Sequence, residues 1–366
     1  MQTFPLAATE QPKMRAAVLH DAGDLRIEDV PIPDPGPGEL LLAVETVGIC
    51  GTDASEFSLG PKLFPLKERH PATGHLGPLI VGHEFSGRVL GMGSDVDGFS
   101  EGDLVASAGS TGCGDCDFCR SGRTSRCDEY WAVGLHRDGA LAEYCTVPAT
   151  ACVAVGTQMT PDAAALAQPM SIAVHALRRG RVEGGEDVLV IGAGGIGAFV
   201  TYAASVLGCN VTSVDLDQDR LDIATALGAR RAVLAGPESD LNELDAAVGF
   251  EITGTEAGMR TAITGLGPGG RLIAVGFQKH PLEMDLAELT SLEQEWIGTN
   301  RIDASTDLPE AIRLLVARND PWNDIAPLVL PLDQVEGALR SMADGNQGPI
   351  KTLISPGTID SRPSEM

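Results

Sequence analysis

Residues 188–200 read Val-Leu-Val-Ile-Gly-Ala-Gly-Gly-Ile-Gly-Ala-Phe-Val, four apolar residues, a glycine-rich turn and a second apolar run. A short, wholly apolar stretch ahead of glycine fits a buried strand of a parallel sheet, and the run behind it fits a helix. Gly192, Gly194 and Gly197 form G-x-G-x-x-G, with Gly195 and Ile196 completing the turn. At this spacing the backbone turns tightly and aims the free N–H groups of a helix N-terminus at a pyrophosphate. Asp215 closes the next apolar run about 20 residues on, where a carboxylate accepts hydrogen bonds from adenosine ribose hydroxyls. It would repel a 2′-phosphate, so NAD is expected rather than NADP. Arg220, opening the helix that follows, joins this cofactor-binding set. The bland alternative is a glycine-rich turn with a helix-capping aspartate, and the strand before and helix after speak against it.

From about residue 163 onward the chain alternates strand and helix. A helix is expected over 163–177, strands over 188–191, 211–214, 232–234, 247–251 and 271–275, and helices over 196–207 and 220–227. This alternation describes a doubly wound α/β unit. Helices at 308–317 and 334–342 and a strand at 350–354 close the chain. The first third instead holds β-prone runs at 16–19, 40–47, 85–89, 104–107 and 144–147, divided by Pro and Gly. Without regular strand–helix alternation, they predict a mostly antiparallel, barrel-like β domain.

Cys113, Cys116, Cys119 and Cys127 stand as C-x2-C-x2-C-x7-C in a polar, glycine-rich loop. Four thiolates at short spacings match a closed tetrahedral zinc site that orders a loop with little apolar core. Four free buried cysteines rarely cluster in hydrophilic sequence, and an iron–sulfur cluster is the nearer alternative. Such a site is structural, since it keeps no open position.

A second constellation pairs Cys50-Gly-Thr52-Asp53 with Gly82-His83-Glu84. A lone Cys or His is usually core filling. A thiolate, an imidazole and a carboxylate together make the ligand set of an open zinc, which acidifies a bound alcohol ahead of hydride loss. Thr52 would carry the alcohol proton away, and Asp53 would orient His83.

These groups, in this order, resemble the zinc-containing medium-chain dehydrogenases of alcohols and polyols, over nearly the whole chain from residue 14 to 354. Gln168-Pro169 and Ile350-Lys351-Thr352 belong to the same ordered set. Segment 66–89, with His70-Pro-Ala-Thr-Gly-His75, is most similar to the 2,3-butanediol, sorbitol and threonine dehydrogenase branch. The resemblance implies a GroES-like, mostly antiparallel β catalytic domain (1–165 and 306–366) and an inserted Rossmann domain (166–305). It also implies a cleft between them, two zinc ions and NAD per chain, and a homodimer or homotetramer. Cys50, His83 and Glu84 become the catalytic zinc set and the four cysteines the structural one. Arg301 and Lys351 are similar to positions that approach the cofactor pyrophosphate. Two departures stand out: Ser55 where many members have the outer histidine of a proton relay, and Gln168 where many have Glu. A carboxylate binds zinc better than an amide, so Glu84 is expected to ligate while Gln168 bonds the substrate or a water.

A formal net charge of −25 argues against nucleic acid or an anionic membrane as partner. Met1 to Lys13 lacks a basic region followed by an apolar one, so a cytoplasmic location is expected. The uncharged stretch 188–214 is long enough to span a membrane but is broken by five glycines. The activity expected is NAD-linked oxidation of a secondary alcohol, vicinal diol or polyol to the ketone. The alternatives are a non-catalytic NAD-binding redox protein with only the structural zinc, or a zinc-free quinone or enoyl reductase. Cys50 and His83 together speak against the last.

Overall fold

In the computed structural model, which describes residues 11–236, 244–278, 280–318, 321–345 and 348–357, the 188–191 run lies at the heart of a parallel sheet. The chain opens with a hairpin, β1 (Lys13–Asp21) and β2 (Asp24–Pro31), then β3 (Glu39–Gly48) and helix α1 (Gly51–Leu59). Next come β4 (Leu79–Ile80), β5 (Glu84–Met92), β6 (Leu104–Ser107) and β7 (Ser110–Thr111). Helix α2 (Asp117–Arg120) sits in the cysteine loop, ahead of β8 (Trp131–Ala132), β9 (Tyr144–Pro148) and β10 (Cys152–Ala154). Helices α3 (Pro161–Ala165) and α4 (Ala167–Arg179) lead into β11 (Asp187–Ile191), α5 (Gly195–Val206), β12 (Asn210–Asp215), α6 (Gln218–Ala226) and β13 (Arg231–Leu234). The alternation continues with β14 (Ala246–Glu251), α7 (Glu256–Thr264), β15 (Leu266–Ala274), α8 (Leu286–Ser291), β16 (Glu295–Gly298) and α9 (Ala304–Ala317). The last elements are β17 (Leu328–Pro331), α10 (Val335–Ala343) and β18 (Thr352–Ser355).

Strands β11–β16 form one parallel sheet in the order β13-β12-β11-β14-β15-β16. Helices on its faces bury β11 on both sides, which is why 188–191 is apolar throughout. The switch in strand order falls between β11 and β14, directly beside the glycine turn. The first part of the chain forms a three-stranded sheet, β2-β1-β4, and a seven-stranded one, β10-β6-β5-β3-β18-β17 with β9 on β3. β18 returns to this second sheet, pairing antiparallel with β3 at Leu353 and Gly48. The parallel unit is therefore inserted into the chain of the antiparallel one. One core gathers Val188, Val190, Phe199 and Phe250 with α4 and α9, and another gathers Leu40, Leu42 and Phe85 under the antiparallel sheet.

Two elements depart from expectation. The helix expected over 163–177 is broken at Leu166 into α3 and α4. The ring of Pro169 would collide with the Ala165 carbonyl of a continuous helix, so a new helix starts at Ala167. Helix α9 begins at Ala304 rather than 308, because the Asp307 carboxylate accepts the Asp303 N–H at 2.7 Å and closes a turn ahead of Pro309. The uncharged stretch 188–214 resolves into strand, helix and strand. Among the described residues no helix is long and apolar enough to cross a membrane.

Candidate active site

Register brings the first constellation together. β3 pairs antiparallel with β5 so that Gly48 faces Glu84, which places Cys50, at the entry to α1, beside His83 and Glu84. The Cys50 Sγ, a His83 ring nitrogen and a Glu84 oxygen lie within 4.8 Å of one another. Asp53, buried in the first turn of α1, accepts the Cys50 N–H at 3.2 Å and holds His83 Nδ1 at 3.2 Å. An imidazole donating from Nδ1 keeps its Nε2 lone pair for a metal. Gly48 leaves room for the carboxylate, since a Cβ there would lie 2.6 Å from Glu84 Oε2. Thr52 is half-buried one residue ahead of Asp53, and Ser55 is exposed. Gln168 lies half-buried in the first turn of α4, a helix that packs against β5.

Lys351 joins the first constellation. Its ammonium is buried just ahead of β18 and donates to Glu84 Oε1 at 2.7 Å and Oε2 at 2.5 Å, and to the Ile49 carbonyl at 3.4 Å. Burial opposes the charge, but Glu84 and then Cys50 outweigh it and hold the ammonium protonated above its usual range. A carboxylate has about four lone-pair sites, so binding Lys351 leaves Glu84 able to ligate as well.

The four cysteines converge with the dimensions of a metal site. Sγ to Sγ distances are 3.6 Å for Cys113 and Cys127 and 4.0 Å for Cys113 and Cys119. Sulfurs about 2.3 Å from a tetrahedral zinc stand about 3.8 Å apart. Backbone N–H groups of Cys113, Cys116 and Cys119 point at the sulfurs of Cys127, Cys113 and Cys116, each at 3.4 Å. The amides of Cys116 and then Asp115 pull the Cys113 thiol down to about 7, toward the thiolate that binds metal. No residue of α2 or of the 3-10 turn Thr124–Arg126 is buried, so little else orders this loop.

At the parallel sheet, Gly192 takes φ +98°, and a Cβ on Gly197 would lie 1.7 Å from the Gly192 carbonyl oxygen, so both positions require glycine. Gly194 precedes α5, whose first residues are Gly195, Ile196 and Gly197. Asp215 accepts the N–H of Ala193 at 2.7 Å and of Asp217 at 3.0 Å, which ties the end of β12 to the glycine turn. Arg220 lies over Gly194, its guanidinium 3.4 Å from where a Cβ would stand, and its buried Nε has no hydrogen-bond partner. Arg220 Nε also stands 3.8 Å from Asp217 Oδ2. The turn thus offers a cradle without room for a side chain at Gly192 or Gly197 and a guanidinium over Gly194, which fits a diphosphate.

Arg301 stands at the other end of the sheet. It follows β16, three strands from β11 and so about 14 Å across the sheet. There it donates to the Cys127 carbonyl at 3.0 Å and lies over the Tyr130 ring at 4.5 Å. These contacts set it beside the cysteine loop, at the far edge of the sheet from the glycine turn. An open cleft there is lined by Ser125, Arg126, His175, Gly276, Asn300 and Arg301, among others. Another depression, at Asp187, Asn210 and Arg231, lies at the N-terminal edge of the sheet, the wrong end for a ligand of this fold. Sequence reasoning did not find the Lys351–Glu84 pair or the carboxylates Asp303 and Asp307 beside the cleft. The four-residue spacing of those two on a helix was the available signal.

Two family models match the chain: an alcohol dehydrogenase GroES-like domain over residues 36–157 and a zinc-binding dehydrogenase over 195–317. L-threonine 3-dehydrogenase of Escherichia coli K12 is 36% identical over 270 residues, covering 70% of this chain and 75% of that protein. The crystal structure of 2R,3R-butanediol dehydrogenase from Bacillus subtilis superimposes with a TM-score of 0.85 at 25% identity, covering 94% of this chain and all of that one. A thermostable alcohol dehydrogenase from Pyrobaculum aerophilum, solved with cobalt and zinc, gives 0.82 at 28% identity and covers 94% of this chain and 100% of its own. The glycine turn, the two thiolate-bearing clusters and these likenesses agree: the chain belongs to the zinc-binding medium-chain alcohol dehydrogenase family and is an oxidoreductase of that type.

Proposed function

We propose that the protein transfers a hydride between NAD and a secondary alcohol, vicinal diol or polyol, giving the ketone. The meeting of Cys50, His83 and Glu84 at the ends of β3 and β5, with Asp53 holding the imidazole, carries this reading. These three would hold a zinc ion, which when bound supplies a Lewis acid to the alcohol, while the nicotinamide accepts the hydride. Asp53 fixes which nitrogen of His83 faces the site. Thr52 takes the alcohol proton, and Ser55, one helical turn on, passes it to water. Gln168 hydrogen-bonds the substrate or a water beside it. The glycine turn and Asp215 bind the dinucleotide, with Arg220 at the diphosphate. In this reading 1–165 and 306–366 form the catalytic unit and 166–305 the dinucleotide unit, with 1–10 and 358–366 outside the described residues. Membership in the family supports a homodimer or homotetramer in the cytoplasm.

A panel of secondary alcohols, diols and polyols, followed by NADH absorbance with the zinc-loaded enzyme, tests the activity. No turnover on any of them would overturn it. Cofactor choice gives a sharper result. With a carboxylate at the ribose, kcat/KM with NAD should exceed that with NADP on the order of 10²-fold, and Asp215→Ala should narrow the ratio. Equal use of both cofactors by the native enzyme would contradict the assignment of Asp215.

A further inference from the structure

Residues 301–307 tie the cysteine loop to the dinucleotide unit through contacts that neither the catalytic nor the structural site explains. Asp303 Oδ1 accepts the Ser125 N–H at 2.8 Å, and Arg301 takes the Cys127 carbonyl two residues on. Asp303 is itself anchored. Its N–H goes to Asp307 Oδ2, which also meets His175 Nδ1 at 2.8 Å, and Arg178 pairs with both carboxylates. Asp303, Asp307 and His175 are 3%, 0% and 6% exposed. They could be mistaken for a metal site, since their donor atoms lie close together. The Arg178 guanidinium already supplies the cation, so the cluster works as a clamp between α4, α9 and the cysteine loop.

The clamp reaches the cleft on both sides. Ser125 and Arg126 form one wall of it, and His175, Asn300 and Arg301 form the other. With no buried residue in α2 or in Thr124–Arg126, the first wall has no apolar core of its own, and this clamp is its tie to α9. We propose that Asp303 is a positioning residue that couples the cysteine-loop metal to dinucleotide binding, each strengthening the other's hold. Ordering Ser125 and Arg126 from the metal side prepays the ordering that a dinucleotide in the cleft requires. Thermodynamic reciprocity makes the two effects on affinity equal in size, and slower zinc release is the kinetic sign of the tighter metal. This inference rests on the dinucleotide reading above.

The test uses the zinc-loaded Cys50→Ser chain, in which only the cysteine-loop ion remains to be read. Zinc release to a chromogenic chelator and NADH affinity by fluorescence titration are the readouts, so no turnover is needed. Saturating NADH should slow zinc release about five-fold or more, within the ordinary range of coupling between two sites. In Asp303→Ala, which deletes the acceptor of the Ser125 N–H, this protection should fall below about two-fold and NADH should bind more weakly. Ser125→Pro, which deletes the donor and leaves Asp303 intact, should do the same and serves if Asp303→Ala does not fold. NADH that binds tightly but leaves zinc release unchanged would overturn the coupling alone. NADH that does not bind at all would overturn the dinucleotide reading together with it.

Discussion

Cys50→Ser is expected to lower kcat/KM by at least about 10³, a loss of about 4 kcal/mol of transition-state stabilisation, with thermal stability little changed. Cys116→Ser should do the reverse first, lowering stability and yield. The asymmetry follows from surroundings. Cys50 stands between β3 and α1, which are held by the apolar core around Phe57 and Phe85 whether or not a metal binds. The cysteine loop has no such core, and a structural zinc contributes on the order of 10 kcal/mol to ordering its ligands. Thermal melts and zinc content of both variants, beside steady-state rates, check this. A Cys116→Ser protein with native melting temperature and zinc content would show that the four cysteines do not hold a structural ion.

Lys351→Met is expected to cost about 3–5 kcal/mol of stability in the zinc-free chain, because it leaves the buried Glu84 carboxylate unpaired beside Cys50 and Asp53. It should also move the pH–rate profile. A cation beside the site favours the deprotonated form of the alcohol and lowers its pKa. Removing the cation raises that pKa, so the rising limb of kcat against pH should shift upward by about one unit, equal to about 1.4 kcal/mol. Zn²⁺ with Cys50 and Glu84 is formally neutral, and the Lys351 ammonium adds one positive charge against Glu84. Gln168→Glu adds the opposite charge and should shift the limb the same way. Profiles unmoved in both variants would show that these charges do not act on the reacting alcohol. Lys351→Arg, which keeps the charge, should restore most of the stability and the native profile.

The parts of the site written in local spacing were legible from residues alone. The cysteine loop spans Cys113 to Cys127, and its geometry follows from one short helix and one 3-10 turn. The glycine turn declares itself because a side chain at Gly197 has no room, and the neighbouring apolar run can only be a buried strand. Contacts between residues far apart in sequence were not legible. Lys351 lies 267 residues from Glu84, and Asp303 lies 178 from Ser125, so each pairing depends on the register of β18 on β3 or the placement of α9. Lys351 and Arg301 both read as cations that approach the cofactor pyrophosphate. Folding buried one against Glu84 and set the other on Tyr130. The break at Leu166 was missed because the alanine-rich pattern continues through it, and only the steric demand of Pro169 divides the helix.

The most direct test of the catalytic assignment is the metal content of the purified native chain beside that of Cys50→Ser, measured by elemental mass spectrometry with protein concentration from amino-acid analysis. Two zinc ions per native chain and one per Cys50→Ser chain are expected. A single ion in the native chain, retained undiminished in Cys50→Ser, would mean that Cys50, His83 and Glu84 hold no zinc and that the protein is not a zinc-dependent dehydrogenase.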